Sequence, residues 1–295
     1  MNDMPIHLTL PPSRPALNAL LNLHPQHLQA ALNLDFSTAS IEVRCLLQAE
    51  LQVNHAYLLS HSEYQLNEEQ YAHYSAWFER RLRGEPIAYI LGEREFFGLN
   101  FKVSPATLIP RPETELLVEL ALQQIPQQGA YRVLDMGTGS GAIALSIAHE
   151  RPNAEVVAVD ASEAALEIAQ LNVQQLKLNN VQLIPSNWFA ALQGERFDVI
   201  VSNPPYIAAD DTHLTQGDLR FEPRTALASG TDGLEDIRHI CSLAKNHLHE
   251  HGWLLFEHGY NQAESVRALL RRSGFFEVFS AQDLAGIERA SGGKI

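Results

Sequence analysis

The chain of 295 residues contains only two cysteines, Cys45 and Cys241, and they fall in predicted helices of different domains. A disulfide between them is therefore not expected, and both thiols are expected to be reduced. No apolar run approaches the ~18 residues that a membrane-spanning helix needs. The chain begins Met1-Asn2-Asp3-Met4-Pro5, which has neither the basic nor the apolar region of a secretion signal. These absences favour a cytoplasmic protein without a membrane partner.

Basic residues are scarce: 21 Lys and Arg stand against 35 Asp and Glu, a formal net charge of −14. Proteins that bind DNA or RNA usually owe much of their affinity to basic side chains on phosphates. The charge therefore argues against direct nucleic-acid binding. Three neighbouring arginines, Arg80, Arg81 and Arg83, are attributed to favourable placement at the C-terminus of a helix.

Metal-binding motifs are missing as well, since the chain has neither His-Glu-x-x-His nor Cys-x-x-Cys. His247, His249 and His251 alternate at the polar end of a predicted helix just before Gly252. No metal site is predicted there.

The length of the chain favours two domains. Residues 1–84 show helical spacing of apolar residues, and Asn67 with Gln70 predicts a capped helix start. Residues 85–109 are predicted to form a β-hairpin linker, with extended backbone from Ile87 to Val103. In residues 110–295 strands and helices alternate, which predicts an α/β domain with a Rossmann-like, doubly wound, mostly parallel sheet.

The motif Asn203-Pro204-Pro205-Tyr206 follows directly after an apolar run, Phe197–Ser202, that is typical of a buried strand. The prolines end the strand and fix the backbone, so Asn203 is expected at a strand's carboxyl end, where open α/β sheets bind ligands. The Asn203 amide oxygen and the Pro204 carbonyl group can accept hydrogen bonds, and the Tyr206 ring can cover a flat group. The motif thus predicts a receptor for a planar –NH2 group. Taken alone, a Pro-Pro turn that only ends a strand explains it equally well.

A glycine-rich segment, Gly137-Thr138-Gly139-Ser140-Gly141, lies between the apolar strand that includes Val133 and the start of a helix. Glycines there allow a tight turn and close approach of a ligand. A second apolar strand, Val156–Val159, ends in Asp160, which can accept hydrogen bonds from both ribose hydroxyls of a nucleoside. The loop, the acid and the Asn-Pro-Pro-Tyr motif, in this order, predict a nucleoside cofactor.

Two cofactors fit such a unit. Gly137, Gly139 and Ala142 also satisfy the dinucleotide fingerprint in its alanine variant, so a nicotinamide enzyme is a competing hypothesis. Asp135, however, places a carboxylate beside the helix start where a dinucleotide would bind its pyrophosphate. S-adenosylmethionine has no phosphate but carries an ammonium and a sulfonium group, which an acidic pocket favours. The residues therefore favour S-adenosylmethionine.

Eight segments match the pattern of one family: Gly84–Ile90, Phe96–Gly98, Ile109–Glu115, Asn203–Tyr206, Phe221–Pro223, Asp232–Leu234, Glu257–Gly259 and Asp283–Gly286. On these segments the chain resembles the bacterial release factor glutamine methyltransferases (the HemK or PrmC family) over nearly its whole length. Asn-Pro-Pro-Tyr alone is shared with adenine-DNA and ribosomal-RNA methylases. The segment Pro-Arg-Pro-Glu-Thr-Glu is more specific, since a sibling family that methylates a ribosomal protein carries Pro-Arg-Ser-Pro there.

The resemblance implies a class I methyltransferase with an N-terminal helical domain that recognises the substrate. It implies methyl transfer from S-adenosylmethionine to the glutamine side-chain amide nitrogen in the Gly-Gly-Gln loop of peptide chain release factors, in support of translation termination. The implied cofactor residues are Asp135, Gly137, Thr138, Gly139, Ser140, Gly141, Asp160, Asn187, Trp188 and Asn203. The implied glutamine-binding residues are Asn203, Pro204, Pro205 and Tyr206, with Asn203 and Pro204 directly catalytic.

The chain departs from the family pattern at two places. Asn187 stands where the family usually has Asp, although an Asn oxygen can still accept from the adenine amine. The tail Glu288–Ile295 lacks the apolar residues typical of a final strand. The sequence therefore does not decide whether this tail forms the last strand of the sheet. Alternative functions are methylation of a ribosomal-protein glutamine or of a nucleic-acid amino group; a non-catalytic module is disfavoured because the Asn203 motif is intact.

Overall fold

The structure of the chain, a computed structural model, describes residues 14–295. The first residues, Met1 to Pro5, in which no secretion signal was found, lie outside the described residues. The chain divides into two compact units between Leu91 and Gly92. We call residues 14–91 the helical unit and residues 92–295 the sheet unit.

The helical unit confirms the helical patterning of the N-terminal sequence. Its helices are α1 (Leu17–Leu32), α2 (Phe36–Leu51), α3 (His55–Ser60), α4 (Glu68–Leu82) and α5 (Ile87–Leu91). Their apolar faces share one core that includes Leu17, Leu46 and Phe78. At the start of α4, Asn67 and Gln70 form the predicted capping box, in which each side chain accepts the other residue's backbone N–H at 2.9 Å.

The arginines near the end of α4 have structural partners. Arg81 is only 3% exposed, forms an ion pair with Glu42 on α2, and donates to the backbone carbonyl groups of Gly84 and Glu85. Arg80 pairs with the Glu85 carboxylate at 2.6 Å. These contacts fix the chain where α4 ends.

The segment after Pro86 was predicted to be extended, and this prediction is wrong for Ile87–Leu91, which forms α5. The Pro86 carbonyl group accepts the N–H groups of Tyr89 and Ile90 at 3.0 and 3.1 Å. Ile90 is buried in the helical core, so tertiary packing selects the helix for this short apolar run. The helical unit therefore extends past residue 84, the predicted domain end.

The predicted hairpin is present as β1 (Glu93–Phe96) and β2 (Leu99–Lys102), which pair antiparallel. Phe97 and Gly98 form its turn with φ values of +52° and +73°, as two-residue hairpin loops require. Phe96 and Phe101 are buried in the core of the sheet unit, so the hairpin belongs to that unit.

The main sheet confirms the predicted Rossmann-like, doubly wound architecture. Its strands are β3 (Arg132–Met136), β4 (Glu155–Asp160), β5 (Val181–Pro185), β6 (Phe197–Ser202), β7 (Leu248–Glu257), β8 (Phe276–Gln282) and β9 (Glu288–Lys294). The strand order is β5-β4-β3-β6-β7-β9-β8, with β3 to β7 parallel and β9 antiparallel to both of its neighbours. The helices are α6 (Glu115–Gln124), α7 (Ala142–Glu150), α8 (Glu163–Leu176), α9 (Glu235–Leu243) and α10 (Ala263–Arg272).

Both faces of the sheet are covered, which explains why the central strands β3, β4 and β6 are largely apolar. On β3, Val133 packs into a core on one face and Leu134 into a second core on the other face. Cys241 lies in the second core, and Cys45 lies on α2 of the helical unit; neither is in a disulfide, as predicted. Among residues 14–295, the helices are too short or too polar to cross a membrane.

The polar tail forms a full interior strand, β9, between β7 and β8. Its residues Ala290 to Gly293 are buried, and Gly292 pairs with Leu255 on one side and with Phe279 on the other. A Cβ atom at Gly292 would clash with Leu255 Cδ2 and would lie 3.0 Å from the Leu254 carbonyl oxygen. The residues of β9 have small side chains here because Leu255 and Phe279 already fill the space beside Gly292.

We expect Gly292→Ala to lower the free energy of unfolding by about 1–3 kcal/mol, the range for an overpacked core. The added methyl group must displace Leu255 and press on the Leu254 carbonyl oxygen. Urea unfolding measures the change. Gln182→Ala, at an exposed position of the edge strand β5, is the control and should stay within about 0.5 kcal/mol. Equal stability of Gly292→Ala and the parent chain would contradict this packing argument.

Candidate active site

A cavity of about 400 Å³ opens at the carboxyl ends of β3, β4 and β6. This is the edge where doubly wound sheets bind ligands. The cavity lies at the topological switch point between β3 and β6, from which the strand order runs in opposite directions. The predicted site residues that border the cavity are Gly137, Thr138, Gly139, Ser140, Asp160, Asn187, Trp188, Asn203 and Pro205. The structure thus brings together most of the residues that the sequence singled out.

The glycine loop forms one wall of the cavity. Gly137, Gly139 and Gly141 have φ values of +73°, +57° and +85°, which residues with a Cβ atom rarely adopt. The N–H groups of Gly137 and Thr138 donate to the Val159 carbonyl group at 2.9 and 3.0 Å and tie the loop to β4. A Cβ atom at Gly139 would meet nothing within 4 Å, so the backbone there faces open space. The loop can therefore be approached closely by a ligand.

Asp160, the last residue of β4, is held rigidly at the cavity wall. One carboxylate oxygen accepts the Gly139 N–H at 2.9 Å, and the other accepts the Ser162 N–H at 2.9 Å. Each carboxylate oxygen can accept a second hydrogen bond. The side chain is thus oriented by the backbone and keeps capacity for two further donors.

Asp135 lies beneath the loop and does not border the cavity. Its Oδ2 accepts the Thr138 hydroxyl group at 2.6 Å and the Ala144 N–H at 3.2 Å, whereas Oδ1 has no partner. Complete burial raises the pKa of Asp135 to about 7, and the hydrogen bonds oppose this shift. Its contacts in the structure hold the loop against the start of α7. Gly141 likewise supports the loop without bordering the cavity.

An aromatic wall comes from the turn after β5. Trp188 has a φ of +51°, and the Ser186 hydroxyl group fixes this turn by donating to the Trp188 carbonyl group at 2.8 Å and accepting the Ala191 N–H at 3.0 Å. The half-buried indole faces the loop, since a Cβ atom at Gly137 would lie 3.6 Å from it. Asn187 borders the cavity beside it and is exposed.

The Asn-Pro-Pro-Tyr motif begins where β6 ends, as predicted. The Ser202 hydroxyl group donates to the Met136 carbonyl group at 2.8 Å and ties the end of β6 to β3. Asn203 and Pro205 border the cavity, whereas Pro204 and Tyr206 do not. The Tyr206 hydroxyl group donates to Glu257 at 3.4 Å, and burial raises the pKa of Tyr206.

Two residues that contact this motif were not among the predicted site residues. Thr114, within the Pro-Arg-Pro-Glu-Thr-Glu segment, accepts from the Asn203 amide nitrogen at 3.4 Å. Glu257, at the end of β7, is 3% exposed and contacts Tyr206. Both lie in segments that match the family pattern, and this match was the only sequence signal for them.

Glu222 supports the segment that carries Thr114. Its buried carboxylate accepts the Ile109 N–H at 3.0 Å and forms an ion pair with Arg111. Pro110 and Thr114, from this supported segment, and Pro223, from the segment of Glu222, all border the cavity. The ion pair therefore holds together two segments that are far apart in sequence.

The three alternating histidines lie away from the cavity. His249 and His251 are on strand β7 rather than at the helix end that the sequence predicted. His247 stacks on Phe189 with a ring separation of 4.4 Å. In residues 14–295, His, Cys, Asp and Glu side chains form no group of three or more that could hold a metal ion.

We expect Asp160→Ala to weaken S-adenosylmethionine binding by roughly ten- to a hundredfold. Loss of hydrogen bonds to a charged acceptor costs about 1.5–3 kcal/mol, and the loop also loses its tie at Gly139. Titration calorimetry measures the affinity, with Glu167→Ala, exposed on α8, as the control. Unchanged affinity in Asp160→Ala would remove this residue from the cofactor site. Tighter binding of NAD than of S-adenosylmethionine by the parent chain would overturn the choice of cofactor.

The doubly wound sheet, the glycine loop in contact with Asp160, and the Asn-Pro-Pro-Tyr motif at the end of β6 together are those of a Rossmann-like methyltransferase. Comparison with known proteins agrees at the level of domains. The family described as the methyltransferase small domain matches residues 113–228, and the family described as the PrmC N-terminal domain matches residues 26–92.

The relatives of this chain include proteins called release factor glutamine methyltransferase, among them those of Xylella fastidiosa and Bordetella pertussis. The protein of Xylella fastidiosa is 50% identical over 86% of this chain and 92% of its own length. That of Bordetella pertussis is 51% identical over 86% of this chain and 94% of its own length. The chain belongs to the release factor glutamine methyltransferase family. A solved methyltransferase from Pyrococcus furiosus, 22% identical over 75% of this chain and 98% of its own, shares the fold with a TM-score of 0.51.

Proposed function

We propose that this protein transfers a methyl group from S-adenosylmethionine to the glutamine side-chain amide nitrogen in the Gly-Gly-Gln loop of peptide chain release factors, and so supports translation termination. The observation that carries the proposal is the position of Asn203. It borders the cavity at the end of β6, and its amide nitrogen is already engaged by Thr114. The amide oxygen is thus left to accept a hydrogen bond from an –NH2 group.

The cavity suits a positively charged nucleoside cofactor. Within the part of the chain that the structure describes, its lining includes the acids Asp160 and Asp236 and contains no Lys, Arg or His. The charged side chains there would repel a dinucleotide pyrophosphate, whereas they would stabilise an ammonium or a sulfonium group. Beneath the loop, Asp135 adds a buried acceptor atom that lacks a donor. The nicotinamide alternative is disfavoured on this ground.

The predicted cofactor residues that border the cavity have positions compatible with cofactor contacts. Asp160 would accept from the ribose hydroxyl groups, and the loop from Gly137 to Ser140 would border the methionine portion. Trp188 would pack against the adenine ring, and Asn187 would accept from the adenine amine. The bound cofactor supplies an electrophilic methyl group attached to a sulfonium.

The chain's own contribution to the reaction is orientation. A primary amide nitrogen is a weak nucleophile, because its lone pair is delocalised into the carbonyl group. The Asn203 oxygen would accept from the substrate –NH2 group and direct the nitrogen lone pair toward the methyl group. The second predicted acceptor, the Pro204 carbonyl group, belongs to a residue that does not border the cavity. Transfer would form the N–C bond as the S–C bond breaks, with the electron pair of that bond left on sulfur, and the nitrogen would lose a proton to water. Such alignment can lower a barrier by as much as ~7–11 kcal/mol.

We assign recognition of the release factor to the helical unit. Large apolar side chains on its helices are exposed, namely Leu23, Phe36, Ile41 and Leu59. A standard interface needs roughly 800 Å² from each partner, more than the glutamine receptor alone offers. The competing account is that the helical unit only stabilises the rest of the chain.

The direct test is incubation of a release factor with the protein and S-adenosylmethionine carrying a labelled methyl group, followed by mass spectrometry of the tryptic peptides. We expect one labelled methyl group on the glutamine of the Gly-Gly-Gln loop, and none on a factor with Ala at this position. A ribosomal protein mixture and a polynucleotide are the alternative substrates. Labelling of either at a higher rate than the release factor would contradict the proposal.

A further inference from the structure

Gln262, the residue before α10, lies outside every segment that matched the family pattern and does not border the cavity. Its side-chain amide nevertheless contacts three of those segments. Oε1 accepts the Gly259 N–H at 2.9 Å, and Nε2 donates to the carbonyl groups of Tyr206 and Gly233 at 3.0 and 3.3 Å. Because a backbone N–H can only donate and a carbonyl group can only accept, these partners fix the orientation of the amide.

Gly233 makes room for this contact. It is buried with a φ of +72°, and a Cβ atom there would overlap the Tyr206 carbonyl oxygen and lie 2.8 Å from Gln262 Nε2. The Asp232 carboxylate fixes the same turn by accepting the Leu234 N–H at 3.1 Å. The turn thus packs directly against the Tyr206 carbonyl group, and Gln262 donates to both.

The peptide group that follows Tyr206 is held at both of its edges. Its carbonyl oxygen accepts from Gln262, and its N–H, which belongs to Ile207, donates to the Leu227 carbonyl group at 2.9 Å. In a trans peptide these two groups point in opposite directions. The peptide plane directly after the Asn-Pro-Pro-Tyr motif therefore cannot rotate while both bonds are present, and the Gln262 amide supplies one of them.

The motif lies between two such ties. At its other end, the Ser202 hydroxyl group donates to the Met136 carbonyl group at 2.8 Å. The two prolines between the ties have locked φ angles and restrict the residues before them, so a rotation at Tyr206 is passed on to Asn203 rather than absorbed. We propose that Gln262 is a positioning residue for methyl transfer, which holds the Tyr206 peptide and thereby the backbone that places Asn203 at the cavity. This inference rests on the proposed function of the same site.

The test separates the two halves of the Gln262 amide in the full-length chain. Gln262→Glu, when ionised, keeps the acceptor for Gly259 but loses the donor to Tyr206. Gln262→Lys keeps a donor and loses the acceptor, and Gln262→Met removes both at similar length. Gln170→Glu, exposed on α8, is the matched control.

Steady-state methylation of a release factor gives kcat and KM. It is measured at about pH 8.5, where the introduced carboxyl group is ionised. Titration calorimetry gives the Kd for S-adenosylmethionine and the number of binding sites, so that kcat can be expressed per cofactor-binding molecule. The melting temperature is measured in parallel.

We expect Gln262→Glu and Gln262→Met to lower kcat per binding site by at least about tenfold, because the receptor backbone is no longer held in place. Gln262→Lys should stay within about threefold of the parent value. KM and the cofactor Kd should change by less than about threefold in all variants, and Gln170→Glu should behave like the parent chain. A merely structural role would lower the melting temperature but leave kcat per binding site unchanged.

If the parent chain methylates the release factor and the folded donor-lacking variants lose less than about tenfold in kcat, this inference alone is overturned. Equal kcat values in Gln262→Glu and Gln262→Lys also overturn it. If neither donor-lacking variant folds, Gln262→Asn, whose shorter side chain cannot reach both partners, is held to the same limit. A parent chain that transfers no methyl group to any release factor overturns the proposed function, and the positioning role with it.

Discussion

Asn203→Ala should lower kcat/KM for release factor methylation by at least about a hundredfold, while the affinity for S-adenosylmethionine stays nearly unchanged. In the proposed function Asn203 supplies an oriented acceptor at the end of β6, and misplacement of a reacting group by about 1 Å can cost a factor of this size. The cofactor contacts are expected mainly from other residues that border the same cavity, namely the glycine loop, Asp160 and Trp188. Single-turnover methylation and titration calorimetry measure the two quantities.

Asn203→Asp is a sharper variant than alanine. It keeps an oxygen acceptor but loses the nitrogen that donates to Thr114, so either oxygen can turn toward that hydroxyl group. We expect partial activity at best. Asn153→Ala, exposed in the turn before β4, is the control and should behave like the parent chain. Near-normal turnover of Asn203→Ala would exclude Asn203 from the mechanism.

Removal of the helical unit should separate protein recognition from chemistry. A shortened chain that begins at Gly92, where the sheet unit starts, should bind S-adenosylmethionine as the full-length chain does. We expect it to methylate an intact release factor at least about tenfold more slowly. Without the helical unit, the shortened chain has less surface to contribute to the roughly 800 Å² that a standard interface needs from each partner. Its rate on a short Gly-Gly-Gln peptide should change little. Calorimetry establishes that the shortened chain is folded, and labelled methyl transfer gives both rates.

The two accounts of the helical unit differ in this experiment. If the unit recognises the partner, only the intact factor loses rate. If it only stabilises the sheet unit, the rates on the peptide and on the intact factor fall together, and the melting temperature falls with them. A shortened chain that methylates the intact factor at the full-length rate would show that the recognition role is wrong.

The cofactor half of the site could be anticipated from sequence because its signals are local. The glycines of the loop need positive φ angles, and the acid at the end of the next strand follows at a fixed interval. The structure accordingly places Gly139 and Asp160 in direct contact at 2.9 Å. The sequence also predicted Asp135 as a cofactor ligand, whereas the structure buries it beneath the loop with Thr138. Its depth depends on packing from both faces of the sheet.

The supports of the receptor could not be anticipated in this way. Thr114 contacts Asn203, and Glu257 contacts Tyr206, although each pair is far apart in sequence. Strands β6 and β7, which carry the motif and Glu257, are neighbours in the sheet. Composition and periodicity carry no signal for such a meeting. From residue type alone, nothing distinguishes Glu257 from other polar residues at strand ends.

By itself, the sequence determined the order of strands and helices, the hairpin turn, the cap of α4 and the residues of the cofactor loop. Each of these follows from periodicity or from the backbone preferences of a few adjacent residues. Only the tertiary structure decided that Ile87–Leu91 is helical and that the polar tail is an interior strand. A short apolar run adopts the backbone that its packing partners select. The tail is a strand because it pairs with both β7 and β8, and it has a glycine at 292 because Leu255 and Phe279 already occupy the space beside it.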